Sequence, residues 1–170
     1  MQVRLLNKRE KQEIVARISS EFPNLKLDLS PKTVVREVKN EKITLYILEG
    51  LAAFAKVDDA LLPILVEPLN KNVLDSIPSM IVDMGAVPHI VNGADVMRPG
   101  IVALEGKFNE GELVVIRDER HRKSIAIGKA LESSENVMKA ERGKVVVNLH
   151  YVGDKIWRFC TEALSRYSNP

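Results

Sequence analysis

Between Lys8 and Ser20 the apolar residues Ile14, Val15 and Ile18 recur at helical intervals among charged neighbours, which predicts an amphipathic helix lying half-buried against a sheet. Asn7 followed three residues later by Glu10 has the spacing of a capping box. Glu13 and Arg17 are spaced to pair on the outer face, and Pro23 stops the helix. From Thr33 to Lys56 the pattern changes to β-branched and aromatic residues, broken at Asn40-Glu41-Lys42 and at Gly50, which predicts a meander of two or three strands. Asp58-Asp59 marks a further turn. The stretch Leu61 to Leu74 is apolar at helical intervals, including Leu65, Leu69 and Leu74. It is read as a helix that Pro63 and Pro68 cap, kink or interrupt.

Asp75 to Pro78 is the expected join between two compact units, because a proline after a charged, turn-prone stretch separates domains. Beyond it a short strand is expected at Met80 to Asp83, then a one- or two-turn helix opened by Gly85, turning Val87, Ile90 and Val91 inward and ended by Gly93. Pro99-Gly100 turns the chain into a strand at Ile101 to Leu104. Leu113 to Arg117, Ser124 to Lys129 and Lys144 to Tyr151 supply three more. Several short strands separated by turn residues, with one small helix near the start, describe a closed or nearly closed barrel. Asp154 is placed to cap a last helix presenting Ile156, Phe159, Cys160, Ala163 and Leu164 on one face, expected to seal the barrel or the domain junction.

Composition narrows the function classes. With 170 residues, 45% apolar and 28% charged, the chain has the make-up of a folded protein of at most two small domains. No apolar run reaches the roughly 20 residues of a membrane helix, and the N-terminus has no secretory pattern, so a cytoplasmic protein with no membrane partner is expected. The single cysteine, Cys160, can form neither an internal disulfide nor a thiolate metal cage and is read as core packing. Net charge is +2, and the two halves are each near neutral, so any nucleic-acid site has to be a local patch.

The most specific stretch runs Asp83-Met84-Gly85-Ala86-Val87-Pro88-His89-Ile90-Val91-Asn92-Gly93-Ala94-Asp95-Val96-Met97-Arg98-Pro99-Gly100-Ile101. It resembles the PUA signature: a strand ending in Asp, a Gly-Ala opening a short helix, a second Gly-Ala, and a Pro-Gly-aliphatic turn into the next strand. Ala126-Ile127-Gly128-Lys129 and His150-Tyr151-Val152-Gly153-Asp154-Lys155-Ile156-Trp157 also look like PUA elements in the expected order. The chain is most similar to the translation-associated PUA proteins, the group of malignant T-cell amplified sequence protein and ligatin, as an archaeal-type member. The resemblance is specific over most of Ile77 to Trp157. The first half is matched by its length, its helix-first order and the join.

That resemblance implies an α+β fold. A small N-terminal α/β-meander domain of the pre-PUA kind is expected over 1–77. A PUA pseudo-barrel, mostly antiparallel β with short helices, is expected over 78–170 with the C-terminal helix. It also implies a groove for structured RNA, tRNA or ribosomal RNA, and a role in translation on the small ribosomal subunit, often beside a partner with a start-factor-like domain. Bare glycine backbone lets amides approach a phosphate closely. Gly85, Gly93 and Gly100 are therefore candidate RNA-binding positions, although turn geometry alone explains them equally well. Arg98, between the last two, can add a charge-assisted phosphate contact, and Lys129, Lys144 and His150 lie on strands that the family places near the same groove. His150 has strand neighbours that also fit packing, His89 is read as a surface residue, and Trp157 as a core anchor. The cluster Arg117, Arg120, His121, Arg122 and Lys123 is interrupted by Asp118 and Glu119 and is read as a solvated hairpin loop.

No glycine-rich loop followed by Lys-Ser or Lys-Thr occurs, nor a dinucleotide fingerprint, and the three histidines share no metal-ligand spacing with one another or with Cys160. No cofactor, no metal and no catalytic residue is expected. The roughly 75 residues of the first half are small for a pocket holding a flipped base and a cofactor. A non-catalytic RNA-binding protein is the reading, with an RNA-delivering subunit of a modification complex or a protein-docking adaptor as alternatives.

Overall fold

The computed structural model describes residues 1–168. The chain divides into two compact units, one made of Met1–Ser76 together with the residues from Arg158 onward, the other of Ile77–Trp157. Among the described residues no helix is long and apolar enough to cross a membrane.

The first unit is an antiparallel meander of five strands in chain order: β1 (Gln2–Leu5), β2 (Val35–Lys39), β3 (Ile43–Leu48), β4 (Ala52–Val57) and β5 (Ala60–Pro63). The edge strand β1, whose four residues are all exposed, has no signal in the sequence pattern. Helix α1 (Lys8–Glu21) carries the expected capping box, with Asn7 and Glu10 each accepting the other's amide. It buries Ile14 and Ile18, and its ion pairs run Arg9 to Glu13 and Arg17 to Glu21 rather than Glu13 to Arg17.

The stretch 61–74 departs most from its expectation. Leu61 and Leu62 complete the sheet in β5, and the only helix is α2 (Lys71–Asp75). A buried side chain explains why. Asn70 accepts from the Ala53 amide at 2.8 Å and donates to the Ala53 and Ile64 carbonyls at 2.7 Å each, holding the chain after Pro63 extended against β4. Helical spacing of leucines is a weaker constraint than completing a sheet whose edge would otherwise leave buried amides unpaired.

The second unit is a curled six-stranded sheet in the order β7-β11-β10-β9-β6-β8. Its strands are β6 (Ser79–Val82), β7 (Val96–Met97), β8 (Ile101–Glu105), β9 (Leu113–Asp118), β10 (Ser124–Ala130) and β11 (Lys144–Tyr151). All pairings are antiparallel except β6 with β9. The first and last strands of that order follow one another in the chain, joined by a single 3-10 turn at Arg98–Gly100. Met80, Val82, Ile90, Val96, Ile101, Val114, Ile116, Ala126, Ala130 and Val146 fill the interior. Two helices belong to the unit, α3 (Val87–Ile90) and α4 (Ser134–Lys139), the second of which the sequence pattern does not announce.

Helix α5 (Lys155–Tyr167) is capped as expected, the Trp157 amide donating to the Asp154 carboxylate at 2.7 Å. Past its first turn it groups with the first unit, where the sequence pattern left open the barrel or the domain junction. Within that unit Arg36 of β2 donates to the Tyr167 carbonyl, and Cys160 and Ala163 are fully buried. The apolar face read from the sequence is real, but a helix pattern does not say which core receives it.

Candidate nucleic-acid interface

The surface round α3 is built from the end of β6 outward. The Asp83 amide donates to the Gly100 carbonyl at 2.9 Å, tying that end to the 3-10 turn, and the Asp83 carboxylate accepts the Ala86 amide at 2.8 Å, starting α3. At its other end the Gly93 amide donates to the Ile90 carbonyl and the Ala94 amide to the His89 carbonyl, both at 3.0 Å. Gly93 stands at a φ of 97°, a conformation that a side chain strongly disfavours. A Cβ on Gly100 would lie 3.1 Å from the Ala86 Cβ, a tight contact that the bare glycine avoids where the turn meets the helix.

Gly85 is different. It is exposed, its φ is not positive, and a Cβ there would meet only the Asp83 carboxylate, at an ordinary 3.4 Å. Two of the three candidate glycines therefore have structural reasons of their own, while local geometry does not demand the third.

Arg98 sits at the centre of this surface, half-buried. Its amide donates to the Gly143 carbonyl at 2.8 Å and its Nη1 to the Ile101 carbonyl at 3.2 Å, while its buried Nε has no acceptor among the described residues. Met97, its neighbour in the chain, and Val102 of β8 are exposed. Lys144, opposite Met97 in the β7–β11 pairing, holds the Asp95 carboxylate at 2.9 Å. The Asn148 amide donates to that carboxylate at 2.8 Å, and Asn148 and then Lys144 keep it below the usual carboxylate range. The side chain of Asn148 donates to the Ile90 and Ala94 carbonyls at 3.0 Å each, clamping the end of α3 to β11. Sequence reasoning missed Asn148. Its signal was a lone carboxamide within the apolar run from Val145 to Leu149.

Two candidates are not brought to this surface. His150 is fully buried, with its Nδ1–H donating to the Asp154 carboxylate at 2.9 Å, so it presents nothing to a ligand and instead orients the residue that caps α5. Burial pushes the Asp154 carboxyl up, but His150 and the Trp157 and Tyr151 amides together outweigh it and leave the group below its ordinary value. Lys129 is exposed, but it follows Gly128, which pairs with Asn148 and faces inward, and so it points to the other side of β10, beside Gly111. The structure thus gathers Gly85, Gly93, Arg98, Gly100 and Lys144 and leaves Lys129 and His150 elsewhere.

Residues 78–152 match the family model described as the PUA domain. An uncharacterized protein of Methanocaldococcus jannaschii is 34% identical over 157 residues, covering 91% of this chain and 94% of its own. Translation machinery-associated protein 20 of Saccharomyces cerevisiae is 27% identical over 158 residues, 86% of each chain. Among solved structures, a hypothetical protein of Pyrococcus horikoshii superposes with a TM-score of 0.74 at 30% identity, covering 93% of this chain and 99% of that one. The PUA match, the barrel with its short helix, and the extent of the match to the Methanocaldococcus jannaschii protein make this chain a PUA-domain protein of the same family as that relative.

Proposed function

We propose that this chain binds structured RNA, tRNA or ribosomal RNA, through the surface round α3 and the 3-10 turn, without catalysing a reaction, and that it acts in translation on the small ribosomal subunit beside a start-factor-like partner. Residues 1–77 are read as the pre-PUA companion domain. One observation carries the proposal: Gly85 lies bare and exposed where neither φ nor crowding requires a glycine, on the rim that Arg98 shares. A glycine with no local structural reason fits a close approach of phosphate to backbone.

The electrostatics support it. Of the two carboxylates at the ends of α3, Asp95 is neutralised by Lys144, and Asp83 is turned back to accept the Ala86 amide. Exposed Met97 and Val102 offer apolar surface for ribose or base faces. The PUA match and the name of the yeast relative support RNA as ligand and translation as setting.

Titration of unfractionated tRNA against the protein and its Arg98→Glu variant tests the surface. The variant is expected to bind at least tenfold more weakly, with a shallower salt dependence, while still melting in one cooperative transition. Equal affinity across the salt series rejects this surface. Sedimentation with small ribosomal subunits tests the setting, and a protein that stays at the top of the gradient counts against it.

A further inference from the structure

We propose that the loop between β9 and β10, Glu119–Lys123, is a second phosphate-contacting element, continuing the α3 surface along the same rim of the barrel. The inference rests on the RNA-binding reading above and extends the footprint to residues that the sequence pattern presents as a solvated hairpin tip.

Topology puts the loop there. Strands β6 and β9 are parallel, with Val82 opposite Asp118, so both leave the sheet at the same end. The Glu119 amide donates to the Val82 carbonyl at 3.0 Å, and the Met84 amide donates to the Glu119 carboxylate at 3.2 Å. The loop is therefore bonded directly to the residue before Gly85.

It is also ordered before any ligand arrives. Asp118, only 5% exposed, accepts the amides of His121 at 2.6 Å and Lys123 at 3.1 Å, and its own carbonyl accepts the Arg122 amide at 3.0 Å. Arg117 reaches the Arg122 carbonyl at 3.3 Å from below, and Arg122, at a φ of 55°, turns the chain back into β10. A preformed loop loses little conformational entropy on binding.

Of the two acidic residues that break the basic run, Asp118 is buried and Glu119 is exposed, each with its carboxylate bonded to backbone amides. Asp118 is consumed by loop amides, and Glu119 is drawn to Met84, while Arg122 pairs with Glu105. Arg120 and Lys123 are exposed and form no ion pair among the described residues, and His121 is exposed between them. A fixed loop one residue from a bare glycine turn, ordered by one buried carboxylate and with Arg120 and Lys123 exposed, fits a polynucleotide backbone crossing from one to the other.

The test compares wild type, the double variant Arg120→Gln with Lys123→Gln, and Arg98→Glu, each binding unfractionated tRNA over a salt series, with thermal melting as the fold control. The double variant is expected to melt unchanged and to lose about 2 from the slope of log K against log salt, one for each phosphate contact removed. An unchanged slope while Arg98→Glu weakens binding overturns the loop and leaves the α3 surface standing. The loop is rejected in that case even if the double variant loses affinity for polyglutamate, which would mark it as a site for acidic protein. Loss in the double variant with none in Arg98→Glu overturns the continuous footprint, and loss in neither overturns both.

Discussion

At the residue scale, the three glycines that look alike in the sequence do different work. Gly93 is held at positive φ, and Gly100 allows Ala86 to approach, whereas Gly85 meets no such demand. Gly93→Ala is expected to cost about 1 kcal/mol or more in urea denaturation, because an L side chain is strained there. Gly85→Ala is expected to leave stability within about 0.5 kcal/mol and to weaken tRNA binding, since the added methyl stands between phosphate and backbone. A Gly85→Ala protein that binds as tightly as wild type would remove the main support for the α3 surface. The sequence could list these glycines but not sort them, because φ and clearance are properties of the folded chain.

At the scale of elements, residues 61–74 show that one buried carboxamide can decide a local conformation against a helical pattern. Asn70→Ala would leave the Ala53 amide without its acceptor and take one of two donors from each of the Ala53 and Ile64 carbonyls in the interior of the first unit. It is expected to destabilise by about 3 kcal/mol, whereas a surface substitution such as Asn72→Ala falls within about 0.5 kcal/mol. Equal denaturation midpoints for the two variants would show that the Asn70 bonds do not hold the segment. The amphipathic helices α1 and α5 and the strands β2 to β4 were readable because each signals itself through local periodicity and caps. The exposed strand β1 was not, since an edge strand with four exposed residues has no apolar alternation to betray it.

For the whole molecule, carboxylates held below their ordinary value shape the response to acid, buried Asp118 and half-buried Asp154 among them. Burial alone would raise Asp118, but the amides of His121, Lys123 and Arg120 together outweigh it, and Asp154 is likewise held below its ordinary value. Each group binds protons less readily folded than unfolded. The stability it contributes is therefore complete above the ordinary carboxylate value of about 4 and lost as pH falls through the lower, folded value. Urea midpoints measured from neutral pH into the acid range are expected to fall steeply below about pH 4 for wild type and less steeply for Asp118→Asn. Parallel curves would mean that the Asp118 carboxylate is not what orders the loop.

What the chain's order of residues determined by itself was local: the capped helices, most of the strands, the turn glycines, and a motif specific enough to identify the barrel. Each of these depends on contacts within a few residues or on a run of residues in fixed spacing. Tertiary structure alone decided which core receives α5, that His150 faces inward, that Lys129 points away, and that a basic hairpin tip lies one hydrogen bond from the Gly85 turn. Those facts depend on strand order and pairing register, which join residues far apart in the chain through the parallel pairing of β6 with β9 and the shift between Ile127 and Gly128.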